Sequence, residues 1–234
     1  MSTSEFKLVH QDAYAARART LTDAADVAAR LKELSPDLSD ELFSRAIFTG
    51  LSGRNETTEA SAVTAAGIQQ WLRTVEELRR SLAAKQWAIS NDRNCPFIRS
   101  PDLSISLVVM TGNSGAGKQG LEEPSNQAGK GSVVERYVEV NSQLELFSQE
   151  FLRAQESSGG SQVWVLLYHY DKNFNEVRYE LSLPTEFVRG KITGWGERLI
   201  LGSMSNDSDG FPVNKEAPIA PAVVDVLPKN GTYE

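Results

Sequence analysis

Residues 163–171 and 176–183 each alternate in period two, and four residues, Lys172-Asn-Phe-Asn175, separate them. In the first run Trp164, Leu166, Tyr168 and Tyr170 share one face, and in the second Val177, Tyr179, Leu181 and Leu183 do. A slip of one residue inverts every side chain of a strand, so only an even-numbered loop lets both sets face the same core. The four-residue loop meets that condition, and a hairpin is expected with Asp171 opposite Glu176 and His169 opposite Arg178. A second hairpin is expected from residues 97–99 and 103–110, which flank the turn residues Ser100-Pro101-Asp102. Residues 133–140, together with Ile192 and Leu199-Ile-Leu201, suggest further strands.

The chain before residue 88 carries the other periodicity. Ala24, Val27, Ala28, Leu31 and Leu34 share one helical face that Thr22 can cap, and Ser35-Pro36 separates it from a second helix containing Leu38, Leu42, Ala46, Ile47 and Leu51. Gly50 and Gly53 lie where that helix is expected to end. In a third helix Ile68, Trp71, Leu72, Val75, Leu78 and Leu82 form an apolar stripe, with Arg73, Glu76, Glu77, Arg79 and Arg80 opposite. A fourth helix is expected over about 143–156, because Ser142-Gln-Leu-Glu145 has the spacing of a capping box.

Helices gathered at the front and strands at the back predict an α+β fold, with amino-terminal helices packed on a mainly antiparallel carboxyl-terminal sheet and one crossing helix. Three regions follow: helical 1–88, a sheet region 89–202, and an extended, acidic, Pro-rich tail 203–234 in which residues 223–227 suit an edge strand. The connection Lys85-Gln-Trp-Ala-Ile89 is short and apolar where independent domains have polar linkers, so the first two regions are expected to form one cooperative unit with Trp87 and Ile89 buried at the junction.

Composition narrows the functional classes. Of 234 residues, 24 are Lys or Arg and 31 Asp or Glu, for a formal charge of −7. The first 88 residues carry 11 basic and 12 acidic groups against 13 and 19 in the remainder, so the acidity is carboxyl-terminal. Such a chain lacks the basic excess that holds phosphate backbones, so unaided nucleic-acid binding is not expected. One cysteine, Cys95, and two histidines, His10 and His169, make neither an internal disulfide nor a Cys/His zinc site. The absence of an apolar run of membrane-spanning length, and of a signal pattern, points to a cytoplasmic protein.

Three patterns resemble sites. Gly112-Asn-Ser-Gly-Ala-Gly117-Lys118 has the spacing of a phosphate-binding loop and follows an apolar strand, but Gln119 stands where Ser or Thr would hold magnesium, and Gly120 and Pro124 oppose the helix that should follow. Residues 112–131, with six glycines, are expected to be a mobile surface loop instead. Ser205-Asn-Asp207-Ser-Asp209-Gly210, with Glu216 at the twelfth position, imitates a calcium loop, though Ser205 replaces its first Asp and neither flank is helical. His169, Asp171, Glu176, Arg178 and Glu180 share one hairpin face, where a cross-strand cluster of both signs is expected to be solvated surface.

With no complete catalytic set, the expected function is a non-catalytic protein-binding module, an inhibitor or accessory subunit of a larger bacterial or phage machinery, needing no cofactor. Its partner is expected to be a protein, met by the carboxylates Asp171, Glu176, Asp207 and Asp209. The alternative is a metal-dependent or phosphate-handling enzyme, a nuclease or nucleotide hydrolase, using Gly112, Gly117 and Lys118 for phosphate or Asp207, Asp209 and Glu216 for metal.

Overall fold

A computed structural model describes residues 18–120, 122–146 and 161–206. The hairpin of strands β5 (Gln162–Asp171) and β6 (Glu176–Val188) forms in the expected register, with Asp171 paired to Glu176, His169 to Arg178 and Leu166 to Leu181. Five more strands extend it: β1 (Arg19–Leu21), β2 (Ala88–Asp92), β3 (Cys95–Arg99), β4 (Ile105–Thr111) and β7 (Lys191–Ser205). The sheet runs β1-β7-β6-β5-β4-β3-β2. It is mixed, because β4 pairs with β5 and β1 with β7 in parallel, while every other neighbour is antiparallel. A parallel pair needs a crossover, and the helix that supplies it here covers the face opposite the amino-terminal helices.

On the first face lie α1 (Ala24–Leu34), α2 (Asp40–Asn55) and α3 (Ala65–Ala83). Leu31, Phe43, Ile47, Leu78 and Leu82 meet Leu107, Val109, Trp164, Leu166, Tyr168, Tyr179 and Leu181 in one apolar cluster. Each fully buried side chain of this size contributes about 1.5–3 kcal/mol. The cap of α1 is Asp23, one residue after the expected Thr22, with its carboxylate accepting the Ala25 and Asp26 amides. Thr22 is passed over because β1 precedes the helix, a strand too short for periodicity to reveal.

Gly50 and Gly53 do not end α2. They lie inside it, where α3 crosses: a Cβ on Gly50 would stand 2.0 Å from Thr74 Oγ1, and one on Gly53 2.5 Å from Arg73 Cγ. That crossing turns Gln70, Thr74 and Glu77 inward, with Thr74 Oγ1 donating to the Gln70 carbonyl at 2.8 Å. It also turns part of the expected apolar stripe outward, leaving Ile68 and Leu72 exposed.

The second face carries α4 (Ser132–Leu146). Residues 133–140 are therefore helix rather than strand, and Ser142 sits inside this helix rather than capping one, so the crossing helix begins at Ser132, eleven residues before the expected 143, and residues 147–156 of the expected span lie outside the described residues. Val134, Val138, Asn141 and Leu144 recur at helical spacing and are buried. Asn141 ties α4 to the sheet by donating to the carbonyls of Val163 and Pro184 and accepting from the Val163 amide. Val108, Met110, Val165, Leu167, Ile192 and Trp195 complete this second core.

At the junction of α3 and β2, Gln86 adopts φ 69°, with its amide donating to the Ala83 carbonyl and that of Trp87 to Leu82. These two bonds are those of a Schellman ending. Trp87 is buried, as expected, and its Nε1 donates to Asp37 Oδ2 at 2.8 Å. Ile89 is not buried: it lies on the sheet's edge strand, beyond the cover of α3, and is 55% exposed. No helix among the described residues is long and apolar enough to cross a membrane.

Candidate functional site

The phosphate-loop imitation and the polar hairpin face come together. Residues 112–120 leave β4 and fold back over β6 and β7, so that Ala116 is fully buried in the second core. Gly117 takes φ +71°, and a Cβ there would stand 2.5 Å from the Tyr179 amide nitrogen, so only glycine fits this approach to β6. Its amide donates to Glu180 Oε2 at 2.9 Å. Glu180 is fully buried and also receives Ser182 Oγ at 2.9 Å and the Arg198 guanidinium through Nε at 3.2 Å and Nη2 at 2.5 Å. Arg198 then donates to the Lys118 carbonyl at 3.0 Å, and Arg178 to that of Ser114 at 3.0 Å. The internal carboxylate thus occupies the amide that a bound phosphate would use.

The return of the loop is fastened at Pro124 and Asn126, where a mobile surface segment was expected. Asn126 is buried, donates to the carbonyls of Ala128 and Gly190 and accepts the Ile192 amide, while Trp195 Nε1 donates to the Pro124 carbonyl. Lys118 Nζ lies 3.8 Å from Glu122 on the exterior. No helix follows Lys118 directly, since α4 starts at Ser132.

Asp171 and Glu176 stand side by side at the hairpin end, and both face Arg178 Nη1, at 3.3 and 3.6 Å. Desolvation pushes the Asp171 carboxyl up, but the amides of Asn173 and Phe174 and the charges of Arg178 and His169 outweigh it and hold it below the ordinary carboxylate range. His169 Nδ1 lies 3.1 Å from the Gly112 carbonyl. The cluster is therefore largely internal, with Glu180 its buried centre, rather than an open charged face. Asp207, Asp209 and Glu216 lie outside the described residues, as do residues 223–227. Among the described residues no group of three or more His, Cys, Asp or Glu side chains converges as a metal would require.

A different surface went unread in the sequence. The exposed stripe of α3 and the edge strand β2 line an open groove of about 800 Å³, walled by Leu72, Val75, Arg79, Ala83, Ile89 and Asn91. Arg79 Nη2 donates to the Ser90 carbonyl at 3.2 Å and to Asn91 Oδ1 at 3.1 Å. Its Nε is buried with no hydrogen-bond partner, and among the described residues Arg79 joins no ion pair, whereas Arg73 has Glu76 and Arg80 has Glu77. The signal was available in Gly50 and Gly53: a close helix crossing there sets Gln70, Arg73 and Thr74 against α2 and leaves Ile68 and Leu72 outside the contact.

No family model matches the chain, and no curated protein and no solved structure matches it.

Proposed function

We propose that the chain is a non-catalytic protein-binding module, an inhibitor or accessory subunit of a larger bacterial or phage machinery. The observation that carries this reading is the groove between α3 and β2, where Leu72 and Ile89 are exposed beside a strand edge that no other strand among the described residues pairs with. Apolar side chains grouped at a polar-rimmed concavity favour association, since burying them gains about 25 cal/mol per Å². The polar groups that suggested chemistry support the same reading, because Glu180 takes up the Arg198 guanidinium and the Gly117 amide, while Arg178 pairs with Asp171 and donates to the Ser114 carbonyl. The free thiol of Cys95 accords with a reducing, cytoplasmic setting.

The test is photo-crosslinking in cells from a benzophenone side chain placed at Ile89, with the same group at exposed Leu103 as control. A discrete adduct with another protein from position 89 alone is the expected result. Equal labelling from both positions would overturn the proposal. So would turnover of nucleotide or nucleic acid with magnesium, or thermal stabilisation by magnesium-ATP that Lys118→Ala abolishes, either of which would restore the enzyme alternative.

A further inference from the structure

Building on the binding-module reading, the chemistry of the groove specifies its occupant. Among the described residues β2 has a strand neighbour on one side only. The two-residue turn Arg93-Asn94, with φ of 46° and 68°, is the left-handed pair of a tight hairpin, which makes Asp92 and Cys95 the first hydrogen-bonded pair. Bonded and non-bonded pairs alternate along an antiparallel ladder, so the next non-bonded pair is Asn91 with Pro96, which has no amide hydrogen to offer. Ile89 and Asn91 therefore direct their backbone N–H and C=O groups away from β3, toward the free edge. Their side chains face the open groove beside α3.

Edge strands are commonly blunted by shortness, lysine, proline or a covering segment. The opposite edge, β1, has three residues and carries Arg19. β2 has five residues, none of them Lys or Pro. Beside it Arg79 carries a charge with no counter-ion among the described residues, and burial lowers the affinity of that guanidinium for its proton. A second copy of this chain fits poorly. Antiparallel pairing through Ile89 and Asn91 would place the two-fold axis at Ser90, where Arg79 is bonded, and bring two unneutralised guanidiniums together.

We propose that the edge of β2 takes up an extended segment of a partner protein as an eighth strand, which sets aliphatic side chains beside Leu72 and Ile89 and offers an Asp or Glu carboxylate to Arg79. The backbone pairing supplies affinity and the alternate side chains supply selectivity, as in other strand additions.

The probe is the capped peptide Thr-Val-Thr-Asp-Thr-Val-Thr, whose Val and Asp side chains share one face, titrated into the full chain and followed by amide NMR and hydrogen exchange. Exchange at the Ile89 and Asn91 amides is expected to slow on binding. The Asp peptide is expected to bind about tenfold more tightly than its Asn counterpart, and Arg79→Gln to erase that difference. Absence of binding, equal affinity of the two peptides, or binding that spares both amides would overturn the inference. So would protection of both amides before peptide is added, whether in a dimer, which assigns the edge to a second copy, or in a monomer, which assigns it to the chain's own remaining residues. A crosslink from position 89 combined with indifference to the peptides would keep the binding module and remove the acidic-strand occupant.

Discussion

The Gly117 amide stands 2.9 Å from the Glu180 carboxylate, and Arg198 holds the same carboxylate from the neighbouring strand. A loop that resembles a phosphate cradle is thereby closed by the protein's own anion. Removing that anion strands a guanidinium whose side chain is 7% exposed. Glu180→Ala is expected to lower stability by about 3–5 kcal/mol, as for a broken buried pair. Urea unfolding measures this as a shifted midpoint at unchanged slope; a shift worth less than about 1 kcal/mol, the usual size for a surface pair, would contradict the buried-network assignment.

Two glycines in adjacent helices should respond with opposite sign. Gly50→Ala forces a methyl group against Thr74 Oγ1 and the Gln70 carbonyl oxygen, 2.0 and 2.8 Å away, and is expected to cost at least the ~1–3 kcal/mol of an overpacked site. Gly67, in the first turn of α3, has nothing within 4 Å of its would-be Cβ. Gly67→Ala is expected to gain up to about 1 kcal/mol by restricting the unfolded chain. Thermal unfolding of the two variants decides the matter by sign alone.

Burial pushes the Cys95 thiol up to about 11, with Lys130 partly opposing and Asp92 adding to the rise. A thiol whose proton is held more tightly in the folded state contributes stability that is complete below its unfolded value and is lost as pH rises toward about 11. Two consequences are measurable. Native protein should react with iodoacetamide at pH 8 roughly a hundredfold more slowly than unfolded protein, following the thiolate fraction. Cys95→Ala should also lose less stability than the parent between pH 9 and pH 11; equal labelling rates in native and unfolded protein would exclude the raised thiol.

Trp87 joins the helices to the sheet through the first core and through its bond to Asp37. Trp87→Ala is expected to cost about 3–5 kcal/mol and to lower the transition of helix and strand signals together. Residues 1–86 and 87–234 expressed separately are expected to be unfolded or insoluble. Two soluble fragments, each with a sharp thermal transition, would show two independent units instead.

The register of the hairpin was legible to the residue because period two, loop parity and one buried face over-determine it, and His169 opposite Arg178 follows from those constraints, although β6 runs on to Val188 past the expected end at Leu183. Residues 133–140 were not legible, because β-branched Val133, Val134, Val138 and Val140 suit a strand locally. Placing Val134 and Val138 against Val163 and Val165 is a tertiary matter, and it selects the helix. The glycine-rich loop misled in a similar way. Its composition suggests a mobile segment, yet Gly117 is required by a close approach to Tyr179, and Asn126 fastens the loop's return to β7. Of the candidate site, the sequence held Asp171, Glu176, Lys118 and Gly117 in view but not their separate partners, Arg178 for the two carboxylates, Glu122 for Lys118 and Glu180 for the Gly117 amide. The groove at β2 was hidden because the α3 stripe, right for Val75, Leu78 and Leu82, also took Ile68 and Leu72 for core.

Arg19 pairs with Glu197, and the two residues are separated by nearly the whole described chain. During synthesis α1, α2 and α3 emerge long before β5, β6 and β7, against which their apolar sides pack. The β5–β6–β7 meander is local and can close as soon as it is made, whereas β1 must wait for β7 to exist before it has a neighbour. Newly made chains therefore pass through an interval in which the helices expose the surface that the sheet later covers, and the parallel β1–β7 edge is the last pairing to zip shut.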